Sequence, residues 1–140
     1  MDICLHYREE GTGFPLILLH GNGENGTYFE HQLACFSGKF RVIAVDTRGT
    51  AAFTISQFAD DLNDFLEQME IPQAVLLGFS DGANIAMRFA IRYQDKVKAL
   101  ILNGGNLDAG GVKRSVQLPI EIGYHMTRLF SGISAKARRN

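Results

Sequence analysis

Apolar positions in this chain follow two patterns, and the alternation between them predicts the fold. Leu16-Ile17-Leu18-Leu19, Arg41 to Val45, Ala74 to Leu77 and Val97 to Leu102 are short, nearly continuous apolar runs, as expected of strands buried on both faces. Between them the period changes to that of a helix. One helix is expected over Tyr28 to Phe36. A second opens at Thr54, carries Phe58, Leu62, Phe65, Leu66 and Met69 on one face and stops before Pro72, and a third covers Asn84 to Tyr93. Ahead of these, Ile3, Leu5 and Tyr7 alternate with polar residues and run into Glu9-Glu10-Gly11-Thr12-Gly13, a half-exposed strand and its turn. This rhythm predicts an α/β fold, a mostly parallel sheet with helices on both faces. It breaks after Gly110-Gly111. Pro119 then opens a helical pattern with Ile122, Met126, Leu129 and Phe130 on one side and Ser131-Gly132 as its stop. The expected organisation is a core over residues 1–110 and a helical segment over 111–140.

The loops at the strand ends carry the candidate chemistry. Gly78-Phe79-Ser80-Asp81-Gly82 joins a buried strand to a helix and reads as a serine on a sharp turn, a nucleophile elbow. The flanking glycines are needed because strand and helix nearly touch there. Small residues around a serine are common in ordinary turns. The context favours catalysis: a buried strand before, a helix after, and the glycine-rich His20-Gly21-Asn22-Gly23-Glu24-Asn25-Gly26 at the end of an earlier strand, where a backbone N–H can meet an oxyanion.

Composition narrows the classes. The chain has 140 residues, 46% of them hydrophobic, enough for one compact domain with a core. A formal net charge of −1 with interspersed signs offers no footprint for nucleic acid or an anionic membrane, and Lys136, Arg138 and Arg139 read as a solvated tail. Cys4 and Cys35 lack the spacing of a zinc site or a disulfide framework and are expected to be reduced core residues. With no basic, apolar leader and no run of about 18 apolar residues, the expectation is a soluble, cytoplasmic protein.

These motifs resemble those of the α/β-hydrolase superfamily, with the closest likeness to bacterial esterases, lipases and C–C hydrolases, over nearly the whole chain. The resemblance implies the N-terminal portion of that fold. It implies Ser80 as nucleophile and the backbone N–H groups of Asn22 and Asp81 as oxyanion donors, acting on a small-molecule acyl substrate without metal or organic cofactor. Asp46-Thr47-Arg48-Gly49 resembles the family's Asp-x-Arg-Gly segment, but the stretch from Thr50 to Thr54 is several residues shorter than usual. The family's triad acid and histidine follow strands later than any in this chain, which therefore reads as truncated inside the lid region. His6, His20 and His31 precede Ser80, and His125 is flanked by apolar residues on the C-terminal helix, a poor base candidate. Asp108 reads as a solvated loop aspartate, and Asp81 as a helix cap turned away from the hydroxyl. Losing a triad member leaves about 10³ to 10⁴-fold catalysis over water, so weak or absent activity is expected.

Two other classes stay open at this stage. Gly21 to Gly26 is also a literal GxGxxG after a buried strand, with Asp46 20 residues beyond Gly26, the pattern of a dinucleotide site. Alternatively the chain is a non-catalytic relative or binding module. An exposed edge where later strands are missing predicts self-association or a complementing chain.

Overall fold

A computed structural model describes residues 4–47 and 54–106, together with Ser115 and Pro119. Its first compact unit, Met1–Gly105, is a five-stranded sheet in the order β1-β3-β2-β4-β5, with β1 (Tyr7–Glu10), β2 (Phe14–Leu19), β3 (Phe40–Val45), β4 (Ala74–Phe79) and β5 (Val97–Asn103). β1 pairs antiparallel with β3, and the other pairings are parallel. The second unit, Asn106–Asn140, lies almost entirely outside the described residues, and so do Asp108, His125, Arg48 and Gly49.

The continuous apolar runs divide by parity, because successive strand residues point to opposite faces. Ile17, Leu19, Ile43, Val45 and Leu76 join a cluster with Leu62, Phe65 and Leu66 of α2 (Ile55–Gln68) and Ile85 and Phe89 of α3 (Asp81–Arg92). On the opposite face Leu16, Leu18, Val42 and Ala44 pack with Phe29 and with Leu33 of α1 (Glu30–Phe36). α2 starts at Ile55 because a capping box at Thr54 closes it: Gln57 N–H donates to the Thr54 hydroxyl, and the Gln57 side chain accepts the Thr54 N–H at 2.8 Å.

Two expectations need correction. β5 is not a buried strand: among the described residues it is the sheet edge, and Leu100, Ile101 and Leu102 are exposed. The reason is the extent of the cover. On the α1 face Val75 and Leu77 of β4 are already half-buried and the cover has run out by Ile101, and on the opposite face α3 leaves Leu100 and Leu102 exposed as well. Cys4 and Cys35 are free and exposed rather than in the core, Cys35 because Leu33 and Phe36 take the inner face of α1.

Candidate active site

The parallel register brings three strand ends to one place. Leu19 pairs with Gly78 and Phe79 with Asn103, so the loops after β2 and β4 emerge side by side. Ser80 N–H then donates to Asn103 O at 2.8 Å, extending the β4–β5 ladder by one residue before the chain turns into α3. That turn forces Ser80 to φ 53°, ψ −117°. For a residue with a Cβ this costs about 1–3 kcal/mol and persists only where the surroundings over-determine it.

Here the glycines supply that over-determination. A Cβ on Gly78 would run into the Gly82 carbonyl and the Ala83 amide, and one on Gly82 into the carbonyl of Leu19. Strand, turn and helix are thus in backbone contact, and no other residue type fits at either position. Ser80 occupies the N-cap position of α3 without capping it through its side chain. Its carbonyl instead accepts from Ala83 and Asn84 N–H, at 3.0 and 3.2 Å. The hydroxyl makes no hydrogen bond to a described residue. The Asp81 N–H, in the first turn of α3, has no intrahelical partner and sits at the positive end of the helix dipole. The Asp81 carboxylate accepts from the Asn84 side chain at 3.4 Å and does not cap the helix as expected.

The loop after β2 is held by its own side chains. Thr47 N–H donates to His20 Nε2 at 3.0 Å, so the ring proton is on Nδ1, which donates to Gly21 O at 2.8 Å. Glu24 N–H donates to the same oxygen at 3.3 Å. Because the peptide is trans and planar, pinning the Gly21 carbonyl also fixes the opposite direction of the Asn22 N–H. That N–H is not spent on any described residue, and Asn22 itself is exposed. The loop abuts the serine: a Cβ on Gly21 would lie 3.4 Å from Ser80 Cβ and 3.4 Å from Phe79 Cδ1.

Three participants escaped the sequence reading. Glu24 accepts the Gly21 N–H through Oε2 at 2.9 Å, a reach-back over three residues like that of a capping box, and this spacing was the available signal. Thr47 orients the imidazole, and Tyr28 stacks on Phe79 with ring centroids 5.2 Å apart. Asp46 is engaged within the fold, since its Oδ1 accepts the Gly26 N–H at 2.6 Å, and the segment after the glycines is a 3₁₀ turn, Gly26–Phe29, rather than an α-helix N-terminus. Neither feature suits a pyrophosphate and ribose site. Among the described residues no group of three or more His, Cys, Asp or Glu is placed to hold a metal, and no helix is long and apolar enough to cross a membrane.

Comparison with known proteins decides the family, since the alpha/beta hydrolase fold family matches residues 15–120. The chain belongs to that family. This alpha/beta hydrolase chain is 33% identical over 133 residues to the 2-hydroxy-6-oxononadienedioate/2-hydroxy-6-oxononatrienedioate hydrolase of Burkholderia vietnamiensis, covering 86% of this chain and 46% of that protein. It is 33% identical over 112 residues to epoxide hydrolase 3 of Mus musculus, covering 72% and 30%. A thermophilic esterase from Thermogutta terrifontis superposes with a TM-score of 0.69 at 32% identity, over 73% of this chain and 40% of the esterase. The chain spans less than half the length of each of these relatives.

Proposed function

We propose that Ser80 is the nucleophile of a serine hydrolase acting on an ester or related acyl bond of a small molecule, with the N–H groups of Asn22 and Asp81 as oxyanion donors. The observation that carries this reading is the strained Ser80 turn, with an uncommitted hydroxyl, lying against the His20–Gly21 loop. Ser80 Oγ attacks the substrate carbonyl carbon and gives its proton to a base. The tetrahedral oxyanion rests on the two amides, the leaving group departs with that proton, and water hydrolyses the acyl-enzyme. Each oxyanion donor of this kind contributes about 10² to 10³ in kcat.

The base is the incomplete part. Both nitrogens of His20 are committed, to Thr47 and Gly21, so His20 has none to offer Ser80. The base is sought instead on a complementing chain, and without it the hydroxyl stays protonated and weakly nucleophilic. That commitment of His20 favours a second reading, a non-catalytic relative that keeps the loop as a binding site. The free thiols of Cys4 and Cys35 fit a reducing compartment, and in either reading we place the chain in the cytoplasm.

Incubation of the chain with a neutral fluorophosphonate, followed by peptide mass spectrometry, separates the two. The expected result for the hydrolase is stoichiometric labelling at Ser80 that Ser80→Ala abolishes. Absence of an adduct, with a labelled full-length relative as control, supports the non-catalytic reading.

A further inference from the structure

His20 and Asp61 are the buried polar or charged side chains among the described residues, and the His20 ring, 3% exposed, bridges two loops. Its Nε2 accepts the Thr47 N–H at 3.0 Å, and its Nδ1–H donates to the Gly21 carbonyl at 2.8 Å. The segment leaving β3 is thereby tied to the candidate oxyanion loop. Nε2 has a single lone pair, so a proton there removes the acceptor and sets two N–H groups against each other. The Thr47 hydroxyl stands 3.3 Å from the same nitrogen and can accept the new N–H. The ring therefore has two arrangements: neutral and bound to the Thr47 amide, or charged and drawn to the Thr47 hydroxyl. Nδ1–H remains a donor to Gly21 in both.

We propose that His20 and Thr47 form a proton-sensitive latch, closed while the imidazole is neutral and opened by a proton on Nε2, through which acid loosens the Asn22 N–H of the candidate oxyanion site. Opening releases the Thr47 amide and leaves the ring anchored to the oxyanion loop alone, so the Gly21–Asn22 peptide loses its tie to the end of β3. The inference rests on the reading of the Asn22 N–H as an oxyanion donor, which gives the latch its consequence at the site. The latch itself needs no chemistry at Ser80. Other titratable groups stand on the elements around the ring: Glu24 on its own loop, Asp46 at the end of β3, His6 ahead of β1, Asp61 on α2 and Asp81 on α3. Glu24 and Asp46 also hold this loop, through the N–H groups of Gly21 and Gly26. The ring's own nitrogens must therefore be followed, to tell its titration from theirs.

The test is nuclear magnetic resonance of the isotope-labelled 140-residue chain from about pH 8 to about pH 5, following the ring nitrogens of His20 and the amides of Thr47, Gly21 and Asn22. At the upper end a nitrogen–nitrogen coupling is expected across the hydrogen bond from the Thr47 amide to Nε2. It should be lost in step with protonation of the ring, and the Gly21 and Asn22 amides should shift along the same curve. His20→Gln offers an acceptor oxygen to the Thr47 N–H and does not titrate, so these shifts should vanish in it. In Glu24→Gln, whose side-chain oxygen still accepts the Gly21 N–H, they should persist. No coupling at the upper end, amides indifferent to protonation of the ring, or a ring that stays neutral across the range would overturn the proposal. These readings come from the unaltered chain and do not depend on how well a variant folds. Fluorophosphonate labelling reports separately on Ser80, so loss of the hydrolase reading and loss of the latch are told apart.

Discussion

Gly82 meets the carbonyl of Leu19 so closely that a single methyl group on its α-carbon has no room. This contact joins the first turn of α3 to the end of β2, and so fixes the distance between the serine turn and the oxyanion loop. Gly82→Ala is expected to destabilise the chain by about 3 kcal/mol or more, above the usual cost of overpacking, because the obstacle is backbone rather than a movable side chain. Gly78→Ala should behave alike, its obstacles being the Gly82 carbonyl and the Ala83 amide. Denaturant midpoints of the two variants measure this, and an unchanged midpoint would contradict the packing described.

Ser80 offers the opposite outcome. Its φ of 53° and ψ of −117° cost little for glycine but strain any residue with a Cβ. Ser80→Gly should therefore raise stability by about 1 kcal/mol, the relief of strain exceeding the extra entropy glycine brings to the unfolded chain. Ser80→Ala keeps the Cβ and should gain nothing comparable. Thermal unfolding of the pair separates strain from loss of the hydroxyl, which both variants share.

How much of this was legible in the sequence varied with how local the cause was. α2 was readable to its first residue, because the Thr54–Gln57 box acts within one turn. The helical pattern in the sequence opens at Asn84, three residues after the helix itself, since Gly82 is a poor helix former. The structure keeps it for the close approach to Leu19, which depends on strands distant in sequence. An apolar run such as Leu100-Ile101-Leu102 shows that a strand calls for cover, not that cover is present. The approach of Gly21 to Ser80 is hidden in the sequence because it exists only once the β2–β4 register has set the glycine loop against the serine turn.

The ion pair between α2 and the turn before β5 makes a prediction in pH. Lys96 Nζ donates to Glu67 at 2.8 Å, and this hydrogen bond, followed by the attraction of the charges, lowers the Glu67 pKa below its ordinary value of 4.5. A carboxyl whose folded-state pKa is depressed contributes stability that is fully present above its unfolded pKa and is lost as pH falls through the folded one. Glu67→Gln should therefore be slightly less stable than the unaltered chain at pH 7 and indistinguishable from it well below pH 4.5. The difference should be small throughout, because the glutamate side chain is 64% exposed. Urea midpoints across this pH range test it, and a gap that persists at acid pH would assign the effect to packing instead.

The uncovered edge makes the last prediction. Among the described residues β5 has unpaired backbone groups along one side, with Leu100 and Leu102 on one face and Ile101, 50% exposed, on the other. Such a strand is a template for another strand, and a charge on it is a usual means of blocking that pairing. Lys98 already stands near its start, so the apolar stretch from Ala99 to Leu102 is where pairing would nucleate. The 140-residue chain is expected to associate as its concentration rises, and Ile101→Lys should shift sedimentation towards the monomer without lowering the unfolding midpoint, because an exposed side chain contributes little to the monomer's core. A chain that stays monomeric at high concentration would mean that this edge is covered within the molecule. Ile101→Lys should then cost stability rather than association, so the same two measurements locate the cover.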